Sequence, residues 1–102
     1  MQTPELRQLM AAYFHQDFMD VYGGVWETVD AFVRVDPGRS APLLSEIELV
    51  LRELPTEAEV EQYVDQLGCE YWAPPEEGGY RGWLTEIARR VTEATRAAGR
   101  QP

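Results

Sequence analysis

Apolar residues recur at helical spacing along almost the whole of this chain. Leu6, Leu9, Met10, Tyr13 and Phe14 form a first stripe, the i, i+3, i+4 pattern of a helix with one buried face. Thr3 is placed to cap that helix, and Pro4 suits its first position. Asp17 to Gly24 reads as a junction. Val25, Trp26, Val29, Phe32 and Val33 carry a second helix, which Asp36-Pro37-Gly38 ends. A third starts at Ser40 and turns Leu43, Leu44, Ile47, Val50, Leu51 and Leu54 inward. Thr56 and Glu59 make a capping-box pattern for a fourth, which bears Val60, Tyr63, Val64 and Leu67 and stops at Gly68. Cys69 to Gly79 is a connector with a short extended piece at Cys69 to Trp72; its Pro74-Pro75 and Gly78-Gly79 pairs exclude a helix. A last helix runs from about Tyr80 through Trp83, Leu84, Ile87, Ala88 and Val91 to Gly99. Residues 1–102 are thus expected to form one all-α domain, a compact single-domain bundle of about five helices, with the final few residues disordered.

Composition narrows the class. An apolar fraction of 44% and an aromatic fraction of 11% belong to a globular chain. No apolar run approaches the ~20 residues of a membrane span, and the N-terminus has no signal-peptide pattern. Cys69 is alone, which leaves no intramolecular disulfide and no set of thiolate metal ligands. A cytoplasmic protein is the simple reading. The formal charge is −9, and all basic residues are arginine, a usage that points to a high-GC genome. Such a charge repels nucleic acid and anionic membranes and favours a basic partner. The plain alternative is that acidity only maintains solubility.

The chain's single histidine stands in Tyr13-Phe14-His15-Gln16-Asp17-Phe18, closed by Tyr22-Gly23-Gly24. Three roles compete for it. As a catalytic pair, His15 and Asp17 lack a nucleophile: Ser40 and Ser45 sit at a helix start, and Cys69 has an acidic neighbour in Glu70 that raises its pKa. No catalytic residue is assigned, and an enzyme is not expected. As a metal site, His15, Asp17 and Asp20 offer one nitrogen and two oxygen ligands, without HExxH, a second histidine or a calcium loop. As a structural junction, His15 and Gln16 donate to carbonyls at a helix end while Asp17 accepts from the next turn. The junction accounts for all three residues, and no metal or other cofactor is expected. A small metal-dependent hydrolase or metal-binding protein centred on His15, Asp17 and Asp20 stays as the alternative, and a generic acidic adaptor as a third reading.

The same run carries a resemblance. Leu9-Met10, then Tyr13-Phe14-His15-Gln16-Asp17-Phe18 and Tyr22-Gly23, resembles the "YFHQD" signature of a family of contact-dependent growth inhibition immunity proteins. Glu46-Ile47, Leu67-Gly68-Cys69, the aromatic and proline-bearing connector and Tyr80-Arg81-x-Trp83-Leu84 follow in matching order, from about Leu6 to Val91. Phe18 stands where the family commonly has tryptophan. The resemblance implies a small cytosolic protein that binds and neutralises a cognate toxin domain, the toxins met by such proteins being varied and many of them nucleases. It brings over no catalytic residues and marks no toxin contacts.

Candidate contacts come from sorting the acidic residues by their helical neighbours. Asp30 has Arg34, Glu48 has Arg52, Glu86 has Arg90 and Arg89 has Glu93 at i,i+4, pairs worth ~0.2–0.5 kcal/mol each. Glu57, Glu61 and Asp65 lie at successive i,i+4 positions with no arginine between them. That spacing costs about what an opposite pair gains, and the helix dipole offsets it only in the first turn. The band is therefore a candidate surface for a basic partner. Asp20 and Glu27, beside Tyr22 and Trp26, make a second candidate. Tyr71, Trp72, Glu76 and Glu77 on the connector make a third.

Overall fold

Three helix ends in this protein are satisfied by side chains from other helices, and these contacts tie the bundle together. The computed structural model describes residues 1–99. Helix α1, Pro4–Gln8, passes directly into a wide π-helical turn, Leu9–Tyr13. A one-turn helix α2 spans Phe18–Tyr22, and α3 spans Val25–Val35. A 3₁₀ turn, Pro37–Arg39, leads into α4, Ser40–Glu53, followed by α5, Glu57–Gln66. A second 3₁₀ turn, Pro75–Glu77, precedes α6, Gly79–Gly99. No strand occurs among the described residues. The all-α expectation and the major helix boundaries hold. The expectation of disorder at the chain's end concerns residues outside those described.

Four features differ in detail. Thr3 does not cap α1 through its side chain; its hydroxyl pairs with the Tyr63 hydroxyl at 2.6 Å. The free N–H groups of Glu5 and Leu6 donate instead to the Glu46 carboxylate of α4, at 3.3 and 2.8 Å. An acid brought from another helix supplies charge as well as acceptors, which a threonine hydroxyl does not. Within the supposed junction, Phe18–Tyr22 forms a helical turn that Gly23 ends at φ +97°. The Cys69–Trp72 piece finds no strand partner. It is held by the Glu70 N–H, which donates to the Phe14 carbonyl at 2.9 Å. Finally, the Pro75–Glu77 turn is helical in the 3₁₀ sense, which needs too few residues for the flanking prolines and glycines to forbid it.

Helix α5, the fourth apolar stripe of the sequence, starts as its sequence predicts. The Glu59 N–H donates to the Thr56 hydroxyl oxygen at 3.2 Å, and the Thr56 hydroxyl donates to the Glu59 carboxylate at 2.7 Å. At the other end of α4, the Arg81 guanidinium donates to the carbonyls of Leu54 and Leu51. A cation there satisfies orphan carbonyls and matches the helix dipole.

The core divides into two aromatic groups, and adjacent residues of the motif feed one each. Tyr13 stacks on Tyr22 at 5.5 Å and meets Phe32 edge-on at 5.2 Å. Phe14 packs on Phe18 at 5.2 Å, on Tyr71 at 6.1 Å and edge-on to Trp83 at 4.9 Å. Leu6, Leu9, Met10, Phe32, Leu43, Val50, Val60, Val64, Leu84 and Ile87 are fully buried around them. Leu44, Leu51 and Leu54, all expected to face inward, are only partly covered at the margin.

Candidate functional site

The His15 turn is built mainly by backbone. The His15 carbonyl accepts from the Phe18 N–H at 3.0 Å, and the Asp17 carbonyl accepts from Asp20 and Val21 at 3.0 and 3.1 Å. The His15 side chain accepts as well: the Asp17 N–H donates to its Nδ1 at 3.1 Å. This reverses the expected roles, since His15 supplies an acceptor and the side chains of Gln16 and Asp17 stay exposed. The N–H groups of Asp20 and Val21, open to the Asp17 side chain by position, donate to its carbonyl instead, and the Phe14 carbonyl at the end of the first helix is taken by the Glu70 N–H. His15 thus acts in this turn through its carbonyl and Nδ1, Asp17 contributes through its backbone alone, and Gln16 makes no hydrogen bond here. Among the described residues, no three His, Cys, Asp or Glu side chains converge as metal ligands. The alternative centre at His15, Asp17 and Asp20 is thus not assembled. Cys69 is pushed up to about 12, chiefly by burial, with the charges of Glu70 and Asp65 adding. It stays a thiol at neutral pH and is a poor nucleophile.

The acidic band on α5 has two parts. Glu57 caps α6: its carboxylate accepts from the Tyr80 and Arg81 N–H groups at 2.7 and 3.0 Å. Helix-terminal N–H groups are natural partners for a carboxylate, so the unneutralised position that looked costly on α5 has a task on α6. Glu61 and Asp65 are exposed and have no such task. Their field reaches the Tyr80 phenol, which burial pushes up and these charges push further. The band thus borders the connector, because the Tyr80 hydroxyl donates to the Tyr71 carbonyl at 2.9 Å.

On the connector, Tyr71 and Trp72 part company. Tyr71 packs against Trp83 at 4.8 Å and Phe18 at 5.9 Å. Trp72 is 60% exposed, a large apolar surface on the connector that also carries the exposed Glu76 and Glu77. Asp20 and Glu27 are exposed on α2 and α3. Trp26, their neighbour, is half-buried, and the Arg90 guanidinium lies 4.2 Å from its ring centre.

A cleft of about 560 Å³ runs between the first turn of α3, the connector and the start of α6. Trp26, Tyr71, Pro74 and Trp83 wall it, and Glu77 and Glu86 supply its carboxylates. Gly82 makes room for this arrangement, since a Cβ there would come within 3.1 Å of the Glu77 carbonyl oxygen. Glu86 accepts from Arg89 at 2.9 and 2.7 Å and from Arg90 at 2.8 Å. The Arg89 contact, followed by that of Arg90, holds its carboxyl down at about 2. Glu77 makes no side-chain hydrogen bond or ion pair among the described residues. The cleft joins Trp26, from the second candidate patch, to the connector, and sequence spacing had not linked them. A glycine inside the start of an otherwise regular helix was the one local sign of a close approach.

No helix among the described residues is long and apolar enough to cross a membrane. A family model described as "CdiI immunity protein" matches residues 2–91. One chain of a solved structure, "Crystal structure of CdiA-CT/CdiI complex from Y. kristensenii 33638", is similar to this one with a TM-score of 0.81 and 26% identity. The likeness covers 88% of this chain and 93% of that chain. Comparison with curated proteins finds no significant match.

Proposed function

This chain belongs to the CdiI immunity protein family, and from that membership we propose that it binds a cognate toxin domain and neutralises it by covering a functional surface. The observation that carries this reading is the likeness, over 93% of the matched chain's length, to a chain from a CdiA-CT/CdiI complex. Inhibition is steric and electrostatic, and this chain performs no chemistry of its own. It acts in the cytoplasm, where an incoming toxin has to be met.

The contact surface is the acidic side made by α5 and the connector. Glu61 and Asp65 hold uncompensated charge, Glu76 and Glu77 add to it, and exposed Trp72 supplies an apolar anchor of the kind that dominates interface energies. Asp20 and Glu27 extend the negative field on the α2–α3 side. A field of one sign accelerates encounter with a basic partner and excludes wrong ones.

Charge reversal tests this, provided Glu57 is left in place to cap α6. The double variant Glu61→Lys, Asp65→Lys is expected to slow association with the toxin domain by about tenfold or more at low salt, and by less as salt rises. Stopped-flow association of the purified pair measures the rate. An unchanged rate at low salt removes these two residues from the interface.

A further inference from the structure

We propose that the cleft between α3, the connector and α6 is the receptor for one arginine side chain of the toxin domain. This inference rests on the immunity reading above and gives it a specific anchor. A volume of about 560 Å³ lies within the ~300–1,000 Å³ typical of sites that enclose a small ligand. It therefore has room for a whole inserted side chain.

The walls select the guest. Trp26, Tyr71 and Trp83 present aromatic surface, and Pro74 closes the apolar lining. A planar guanidinium stacks on such faces and is weakly hydrated, so it enters a half-buried site more readily than a compact ammonium. The protein makes this contact internally, with the Arg90 guanidinium 4.2 Å from the Trp26 ring centre. Arg90 itself is not among the cleft's lining residues and faces a separate depression with Val29 and Val33.

The charge of the guest follows from the two carboxylates. Glu86 is already matched by Arg89 and Arg90. Glu77 is the lining carboxylate with no partner among the described residues, and its charge is felt at Tyr71. An arginine entering the cleft would meet Glu77 and lie against the aromatic wall. An uncharged apolar guest would leave Glu77 desolvated against nothing, which is unfavourable.

Glu76 and Glu77 are adjacent and both exposed, and only Glu77 lines the cleft. This gives an internal control. Affinity for the cognate CdiA-CT toxin domain would be measured for the wild type, Glu77→Lys and Glu76→Lys by calorimetry, with melting curves to confirm folding. Glu77→Lys is expected to weaken binding on the order of 30-fold. Glu76→Lys, changing only the general field, is expected to stay within about threefold. One Arg→Glu change in the toxin domain is expected to restore most of the affinity lost by Glu77→Lys, and none of the small loss of Glu76→Lys. Equal losses from the two variants, or no loss from Glu77→Lys, overturn the cleft while leaving the immunity reading intact. Failure of the wild type to bind the toxin domain at all overturns the immunity reading itself.

Discussion

Replacing Phe14 by alanine is expected to destabilise the protein by about 3–5 kcal/mol, the usual cost of emptying a fully buried phenylalanine site. Phe14 is 0% exposed and joins α1, the short α2 turn, the connector and α6 through its contacts with Phe18, Tyr71 and Trp83. These elements are fixed by other contacts as well, so the site cannot collapse fully around the missing ring. A domain of this size has about 5–15 kcal/mol of total stability, so the loss is a large share of it. Denaturant unfolding measures the effect. The neighbouring Gln16→Ala, at an exposed position, is expected to stay within about 0.5 kcal/mol. A loss below about 1.5 kcal/mol for Phe14→Ala would mean the aromatic group is not a packed core.

Gly79→Ala is the second large effect, expected on the order of 2–4 kcal/mol. Gly79 has φ +65°, where a side chain costs about 1–2 kcal/mol. It also lies against the Glu57 carboxylate, which an alanine Cβ would displace. Displacement breaks the bonds from Tyr80 and Arg81 that start α6, and hydrogen bonds to a charged group contribute about 1.5–3 kcal/mol. The two causes separate in a double-mutant cycle. With Glu57→Ala already present, Gly79→Ala is expected to cost only its backbone share, so the two losses do not add. Full additivity would show that Glu57 does not cap α6.

These contacts show which parts of the fold were legible. The helices at the third, fourth and fifth stripes could be read because their signals are local: Thr56 with Glu59, Gly68, and the periodic leucines and valines. Glu46 and Glu57 could not be read as caps, because each closes a helix distant in sequence, and spacing carries no sign of that. The same limit appears in the charge pairs. Glu48 meets Arg52 at 3.9 Å and Glu86 meets Arg90 at 2.8 Å, as their spacing suggests. Arg89 turns back to Glu86 at 2.7 Å instead of reaching Glu93. Asp30 and Arg34 form no ion pair among the described residues. Helical spacing supplies candidate neighbours, and surrounding structure decides among them.

The candidate surface was legible in a similar, partial way. Unmatched acids on α5 and an aromatic, acidic connector stand out by composition. The cleft does not, because Trp26 and Glu77 meet only through the tertiary fold. The Tyr13–Phe18 run is the reverse case. It stands out in sequence and resembles a family signature, yet its aromatic residues serve the core and His15 serves a turn. Its conspicuous residues build the fold, and the partner surface we propose lies elsewhere.

The central claim is neutralisation of a toxin by binding, and one co-expression experiment tests it most directly. The cognate CdiA-CT toxin domain would be induced in cells with and without this chain, and growth followed. Growth arrest by the domain alone, full growth when the folded chain is present, and recovery of the two as a complex are the predicted result. Arrest that persists despite abundant folded chain would contradict the account.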